Sequence, residues 1–207
     1  MLGVAPHSKD PLLAGDIRHI VANCPAGIIG VRNRCLVLCG FAMGSRRGEL
    51  ADLNVPDVAW TEPWLVVTCR GSKTDQEHAG NRKAIPFGSE PDTCPVRALR
   101  AWLDAAGITG DRPLFRAVDR HENVSENRLH PGSIARSLKA ASRRGGLDPE
   151  NIAGHSLRSD MATQAAMNGA DERSIAAVTQ HRSMRVLRRY IRDGNLFRGN
   201  ASGRLGL

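Results

Sequence analysis

Tyrosine is nearly missing from this chain: Tyr190 is the only one in 207 residues, and aromatic residues make up 4% of the sequence. Lysine is scarce as well, with four against 25 arginines, so a reaction that needs an ammonium group has few candidates to draw on. No C-x-x-C pair occurs among the five cysteines (24, 35, 39, 69 and 94), and their number is odd. A disulfide framework and a zinc site are therefore not expected, and Cys35 and Cys39, inside an apolar run, read as small core residues. That run, Cys35 to Met43, is too short to span a bilayer, and no signal-peptide pattern opens the chain. The expected setting is reduced and cytoplasmic, with no membrane partner. Internal repeats and low-complexity tracts are also lacking.

What the chain has in excess is positive charge. The balance of 29 basic against 21 acidic side chains gives +8. Residues 131 to 207 carry 13 of the bases and 6 of the acids, so +7 of the total lies in the last third. Such a surface favours an anionic partner, and guanidinium forks suit phosphate better than ammonium groups do. In that third, His155-Ser-Leu-Arg158, His181 and Tyr190 fall within 36 residues. A phenol, with an unperturbed pKa of about 10, is a poor nucleophile at neutral pH. It becomes useful where positive charge stabilises its anion and the charge building on the group attacked. A phosphodiester fits those neighbours.

The residue pattern predicts a mainly α fold with a small antiparallel β insertion, in one domain covering 1–207. Residues 1–12 read as a loose lead-in and 193–207 as a tail. A short helix is expected over Asp16 to Ala22, a buried one over 30–44, and another from Arg46 to Leu53. After Pro56 come three short β-rich runs, Val58–Trp60, Trp64–Cys69 and Ala84–Phe87, with a polar loop from Arg70 to Lys83 between the last two. Helices resume at Pro95, where Val96, Leu99, Trp102, Leu103 and Ala106 form an apolar stripe. Ile134, Leu138 and Ala141 form another before Gly145-Gly146. Further helices are expected at 156–168, 171–178 and 183–192, with Gly169, Asp171 and Ser183 as end signals.

Two more segments complete a set. Gly44-Ser-Arg46-Arg-Gly-Glu49-Leu places an arginine at a helix start, and Ser72-Lys73-Thr74 places a lysine in the hairpin. The ordered series Arg46, Lys73, His155-x-x-Arg158, His181 and Tyr190 resembles the tyrosine recombinase (phage integrase) family, as do the stretches GSRRGELADL, SKTDQ, GHSLRSDMATQAA and TQHRSMRVLRRYIR. H-x-x-R alone is weak; all six positions in order, with the tyrosine nine residues past the second histidine, are highly specific. The resemblance implies the family's catalytic-domain fold and a site-specific DNA recombinase that works without cofactor, metal or ATP. It also implies double-stranded DNA as partner, no small-molecule substrate, and a homotetramer on two duplexes. Tyr190 would attack a scissile phosphate to give a 3′-phosphotyrosyl enzyme and a free 5′-hydroxyl, with Arg46 and Arg158 holding the non-bridging oxygens. By the same resemblance, Lys73 would protonate the departing 5′-oxygen, with Lys83 as its rival on the hairpin. His155 would act as base or phosphate contact, His181 as a second donor to phosphate, and Glu49 in support. Arg182, Arg185, Arg189 and Arg192 recur at helical spacing beside Tyr190 and would meet the DNA backbone.

Three features depart from the family's pattern. The chain starts almost at the catalytic domain, so the N-terminal core-binding domain that members usually carry is expected to be absent. Gln180 stands where glycine is usual, and its side chain threatens to shift His181. Asp160 replaces a small residue and would weaken anion binding if its carboxylate faced the site. Two other readings stay open: a type IB topoisomerase-like strand transferase, and an integrase remnant that binds DNA without recombining it.

Overall fold

The computed structural model describes residues 11–70, 81–152, 156–181 and 183–195. Its organising element is α2 (Gly27–Ala42), apolar on all sides from Cys35 onward, with Cys35, Leu36, Val37, Leu38 and Cys39 all buried. A helix without a polar face has to be surrounded. Here α1 (Ala14–Ala22), α4 (Pro95–Ala106), α5 (Pro131–Arg144) and α6 (Ser156–Met167) pack around it. Gly40 lets α2 approach α6 and α3 (Arg47–Asp52): a Cβ there would lie 2.5 Å from Leu157 Cδ1 and 2.9 Å from Leu50 Cδ1. Two helices, α7 (Glu172–Thr179) and α8 (Met184–Gly194), complete the C-terminal part. They share a smaller cluster of Ala162, Ala166, Ile175 and Leu187, on which Tyr190 rests half-buried.

The apolar stripe expected from Pro95 onward is buried at Val96, Leu99 and Trp102, and the Trp102 indole donates to Leu114 O at 2.8 Å. All five cysteines are free, with Cys35 and Cys39 in the core. No helix among the described residues is long and apolar enough to cross a membrane. The mainly α architecture with a small antiparallel sheet is as the sequence predicts. Helix limits agree to within a turn, although α2 begins three residues earlier than expected, and α8 runs two residues into the expected tail.

Two β features differ from expectation. In the sheet β1 (Val58–Trp60), β2 (Trp64–Cys69), β3 (Asn81–Pro86), the last strand starts at Asn81, three residues before the predicted Ala84. Lys83 therefore lies on a strand and not in the loop, paired with Val67 and facing inward like Ile85 two residues on. A cation at an inward position breaks the apolar alternation by which strands are recognised. The second hairpin, β4 (Arg116–Val118) with β5 (Val124–Arg128), has no counterpart in the sequence reading. Its strands are short and half-exposed, and Val-Ser-Glu-Asn-Arg carries neither alternation nor β-branched enrichment.

Candidate active site

Four of the six expected catalytic positions fall within the described residues; Lys73 and His155 lie outside them, as does Arg182 of the basic stripe. The four come from three places: the turn from α2 into α3, the first turn of α6, and the α7–α8 junction with α8 itself. The first of these turns on Gly44, whose φ of 54° is open to glycine at little cost. It sends Arg46 to the N-cap of α3, where Glu49, three residues on, accepts from the Arg46 backbone N–H at 3.1 Å and from its guanidinium Nη1 at 2.6 Å. Sequence separation alone sets this pairing, because the cap and the third helical residue face each other.

Glu49 also faces two more distant cations. Arg158 Nη1 is 3.9 Å from its Oε1, and Lys83 Nζ is 3.7 Å from its Oε2. Burial alone would raise the Glu49 pKa. Lys83, the Arg46 backbone and side-chain donors, and Arg158 outweigh it and hold the carboxyl below its ordinary value. Arg158 is 3% exposed, and Nη1 donates to Gly44 O at 3.3 Å. Its Nη2 is buried with no partner among the described residues, leaving a donor available to an anion's oxygen. Burial, and then the like charge of Arg46, lower the Arg158 pKa to about 10, so it stays cationic at neutral pH. Tyr190 is among the groups whose field acts on Arg158.

His181 completes the group, its ring 5.7 Å from that of Tyr190 between centroids. Its Nδ1 lies 2.9 Å from Thr179 Oγ1, and that hydroxyl donates its one proton to Ile175 O at 2.8 Å. The imidazole must therefore be the donor to threonine, which places the proton on Nδ1 and the lone pair on Nε2. Burial, then Arg158 and Arg46, push the His181 pKa down to about 4, so the ring is neutral at pH 7. Thr179 was not singled out in the sequence; its only signal is its place two residues before the histidine.

Gln180 sits at the C-cap of α7 with φ 52° and ψ 50°, in the left-handed region, and its side chain is exposed. That conformation explains why glycine suits the position. The threonine contact holds His181 in place regardless of the glutamine side chain. Gln180→Gly is expected to raise stability by about 0.5–1 kcal/mol, the removed strain being partly offset by the looser unfolded chain. Urea denaturation would check this, and a loss of stability would contradict it. Asp160 points elsewhere. It is buried, with Leu12 N–H and the Ser159 hydroxyl as its donors, two residues around α6 from Arg158 and hence on another face. It does not oppose the arginines. Leu12, expected in the loose lead-in, is buried and forms part of the core.

On α8, Arg185, Arg189 and Arg192 are exposed, and the Arg189 guanidinium carbon lies 5.6 Å from the Tyr190 ring centroid. Arg188, one position off the stripe, is paired with Glu172 at 3.0 Å. The stripe is left open to solvent. Among the described residues no group of three or more His, Cys, Asp or Glu could hold a metal ion.

Comparison with known proteins gives a consistent result. The integrase/recombinase XerD homolog of Selenomonas ruminantium is 37% identical over 176 residues, covering 85% of this chain and 51% of that protein. This chain thus spans about half the length of that relative. XerH site-specific recombinase, solved bound to a palindromic difH substrate in a post-cleavage complex, superposes with a TM-score of 0.69 at 15% identity, covering 95% of this chain and 52% of XerH. A lambda integrase tetramer bound to a Holliday junction gives a TM-score of 0.60 at 18% identity, covering 94% of this chain and 51% of the integrase. At those identities the structures speak for the fold alone. The sequence model of the phage integrase family matches residues 12–195, from the start of the packed core through the helix that carries Tyr190, and the chain accordingly belongs to that family.

Proposed function

We propose that this chain is the catalytic domain of a site-specific DNA recombinase that cleaves and rejoins strands through Tyr190. The observation that carries this reading is the convergence of Arg46, Arg158, His181 and Tyr190, with a buried guanidinium nitrogen of Arg158 left unpaired among the described residues. In this reading the Tyr190 oxygen attacks phosphorus, a Tyr–O–P bond forms, and the P–O5′ bond breaks. Arg46 and Arg158 take the two non-bridging oxygens, where charge grows in the transition state. Lys73 delivers a proton to the departing 5′-oxygen, since an alkoxide is a very poor leaving group.

His155 keeps its role as base or phosphate contact. His181 contributes according to its tautomer: in the free protein Nε2 is an acceptor beside the phenol, and it becomes a donor to phosphate only when an incoming anion raises its proton affinity. Because the ester retains the bond energy, a 5′-hydroxyl from another strand reverses the step. Neither ATP nor metal is required in this reading, since side chains supply the cations. Arg185, Arg189 and Arg192 would grip the phosphate backbone without reading sequence. Four copies around two duplexes is the proposed assembly; the lambda integrase it resembles in fold is a tetramer bound to a Holliday junction.

A nicked suicide DNA substrate incubated with the protein in EDTA, then run on a denaturing gel, tests the reading. The protein is expected to form a covalent adduct that Tyr190→Phe abolishes. No adduct across candidate sites, or one that persists in Y190F, would refute it; the first result would favour a DNA-binding remnant.

A further inference from the structure

Lys83 is a buried cation that the reaction outlined above does not use. Its side chain is 2% exposed, and Nζ donates to Met43 O at 2.7 Å while facing Glu49 at 3.7 Å. The next carbonyl along, that of Gly44, is held by Arg158. The two cations thus fasten consecutive carbonyls of the turn that delivers Arg46. Glu49 in turn is shared by Arg46, Arg158 and Lys83.

Counting formal charges shows what Lys83 adds. Arg46, Arg158 and Glu49 alone sum to +1, one carboxylate having cancelled one guanidinium. With Lys83 the cluster returns to +2, and the added charge is shielded from solvent and counter-ions, where it acts most strongly. A lysine held this way is also poorly placed to follow a leaving group.

We propose that Lys83 is a positioning residue for the arginine pair: a buried counter-charge that lets Glu49 orient Arg46 and Arg158 without cancelling the positive charge they present to a phosphate. The role rests on the DNA-cleaving reading given above. Burial pushes the Lys83 pKa down, with Glu49 among the groups opposing the shift; an isolated Lys83 would be harder still to keep charged.

The test compares Lys83→Met, which keeps the apolar stem, with Lys83→Arg, which keeps the charge, in the full chain and again with Glu49→Gln. Two readouts serve: the single-turnover rate of adduct formation, and the rise in melting temperature produced by inorganic phosphate. The second needs no DNA cleavage, so it judges Lys83 even if wild type forms no adduct and the recombinase reading fails. K83M is expected to slow the adduct by about tenfold to a hundredfold and to shrink the phosphate-induced shift, while K83R stays within about threefold of wild type. Added to E49Q, where no carboxylate remains to be offset, K83M is expected to cost less than about threefold. This pair removes both ions together and remains informative if K83M alone does not fold. Losses in K83R as large as in K83M, or an undiminished K83M penalty in the E49Q background, would overturn the proposal.

Discussion

Arg158→Met is expected to slow formation of the Tyr190–DNA adduct by about a thousandfold while leaving the protein no less stable than its parent. The catalytic loss follows from position. In the proposed reaction Arg158 would offer a preorganised, water-shielded donor where charge grows on phosphorus, and removing one such donor costs on the order of 3–4 kcal/mol. Stability follows a different account. In the free protein Arg158 is buried beside the like charge of Arg46, with Nη2 unpaired among the described residues, where its compensations are Gly44 O and a Glu49 contact at 3.9 Å. Removing one partner of a buried ion pair is costly when it strands the other charge; here Glu49 keeps Arg46 at 2.6 Å and Lys83 at 3.7 Å, so an apolar side chain of similar length leaves no uncompensated carboxylate. Single-turnover assays on a suicide substrate, paired with thermal melts, would separate the two effects. An adduct rate within tenfold of wild type would remove Arg158 from the phosphate. A collapse in melting temperature would show that its bond to Gly44 holds the α2–α3 turn together.

Asp160→Asn is expected to abolish a loss of stability that the parent shows as pH rises from 6.5 to 9. Burial, reinforced by the nearby Asp16, raises the Asp160 pKa to about 8 against the Leu12 N–H and Ser159 hydroxyl that favour the anion. The folded chain therefore holds a proton between roughly pH 4 and pH 8 that the unfolded chain has released. Stability from this group is full below about pH 4 and is lost as pH rises towards 8. His181 runs the other way. With its folded pKa near 4, below the unfolded value, its contribution is full above about pH 6.5 and is lost as pH falls through 4. The two oppose each other between pH 4 and 6.5, and above that range Asp160 acts without this opposition. Over the 1.5 units from there to pH 8 the loss is about 2 kcal/mol. Asparagine keeps the acceptor for Leu12 N–H and cannot ionise. Denaturant titrations of both proteins at pH 6.5 and pH 9 would show the difference; parallel stabilities at both values would mean that the carboxyl is not kept neutral.

How much of this was legible beforehand depends on the range of the interaction concerned. α2 could be read because an unbroken apolar run leaves a helix no alternative to burial. Glu49 and Arg46 could be read as partners because cap geometry is fixed by a three-residue step. Lys83 could not. Its carboxylate partner lies 34 residues away, and its polarity disguised the strand that carries it. The β4–β5 hairpin was missed for a similar reason: its own residues carry no strand pattern, and Arg128 at its end is held by Ala51 O and Leu53 O, more than 70 residues away in sequence.

Asp160 shows the same division. From sequence it was an acid two residues from an arginine expected to bind phosphate, and whether it opposed that arginine depended on its direction. The helix turns it by roughly 200° from Arg158, and packing against Leu12 supplies its partner. Gln180 is the converse case, since the residue type usual at that position already implied a left-handed backbone.

The sequence by itself determined the family resemblance, the order of the reactive residues, the positive last third and the helical scaffold. These depend on residue type and on spacing along one element, which local geometry converts directly into faces and caps. Only the tertiary structure decided that Arg158 Nη2 has no partner among the described residues, that Leu12 meets Asp160, and that Lys83 stands behind Glu49. Each of these is a contact or an electrostatic field between elements whose relative placement is set by the packing of the whole core around α2.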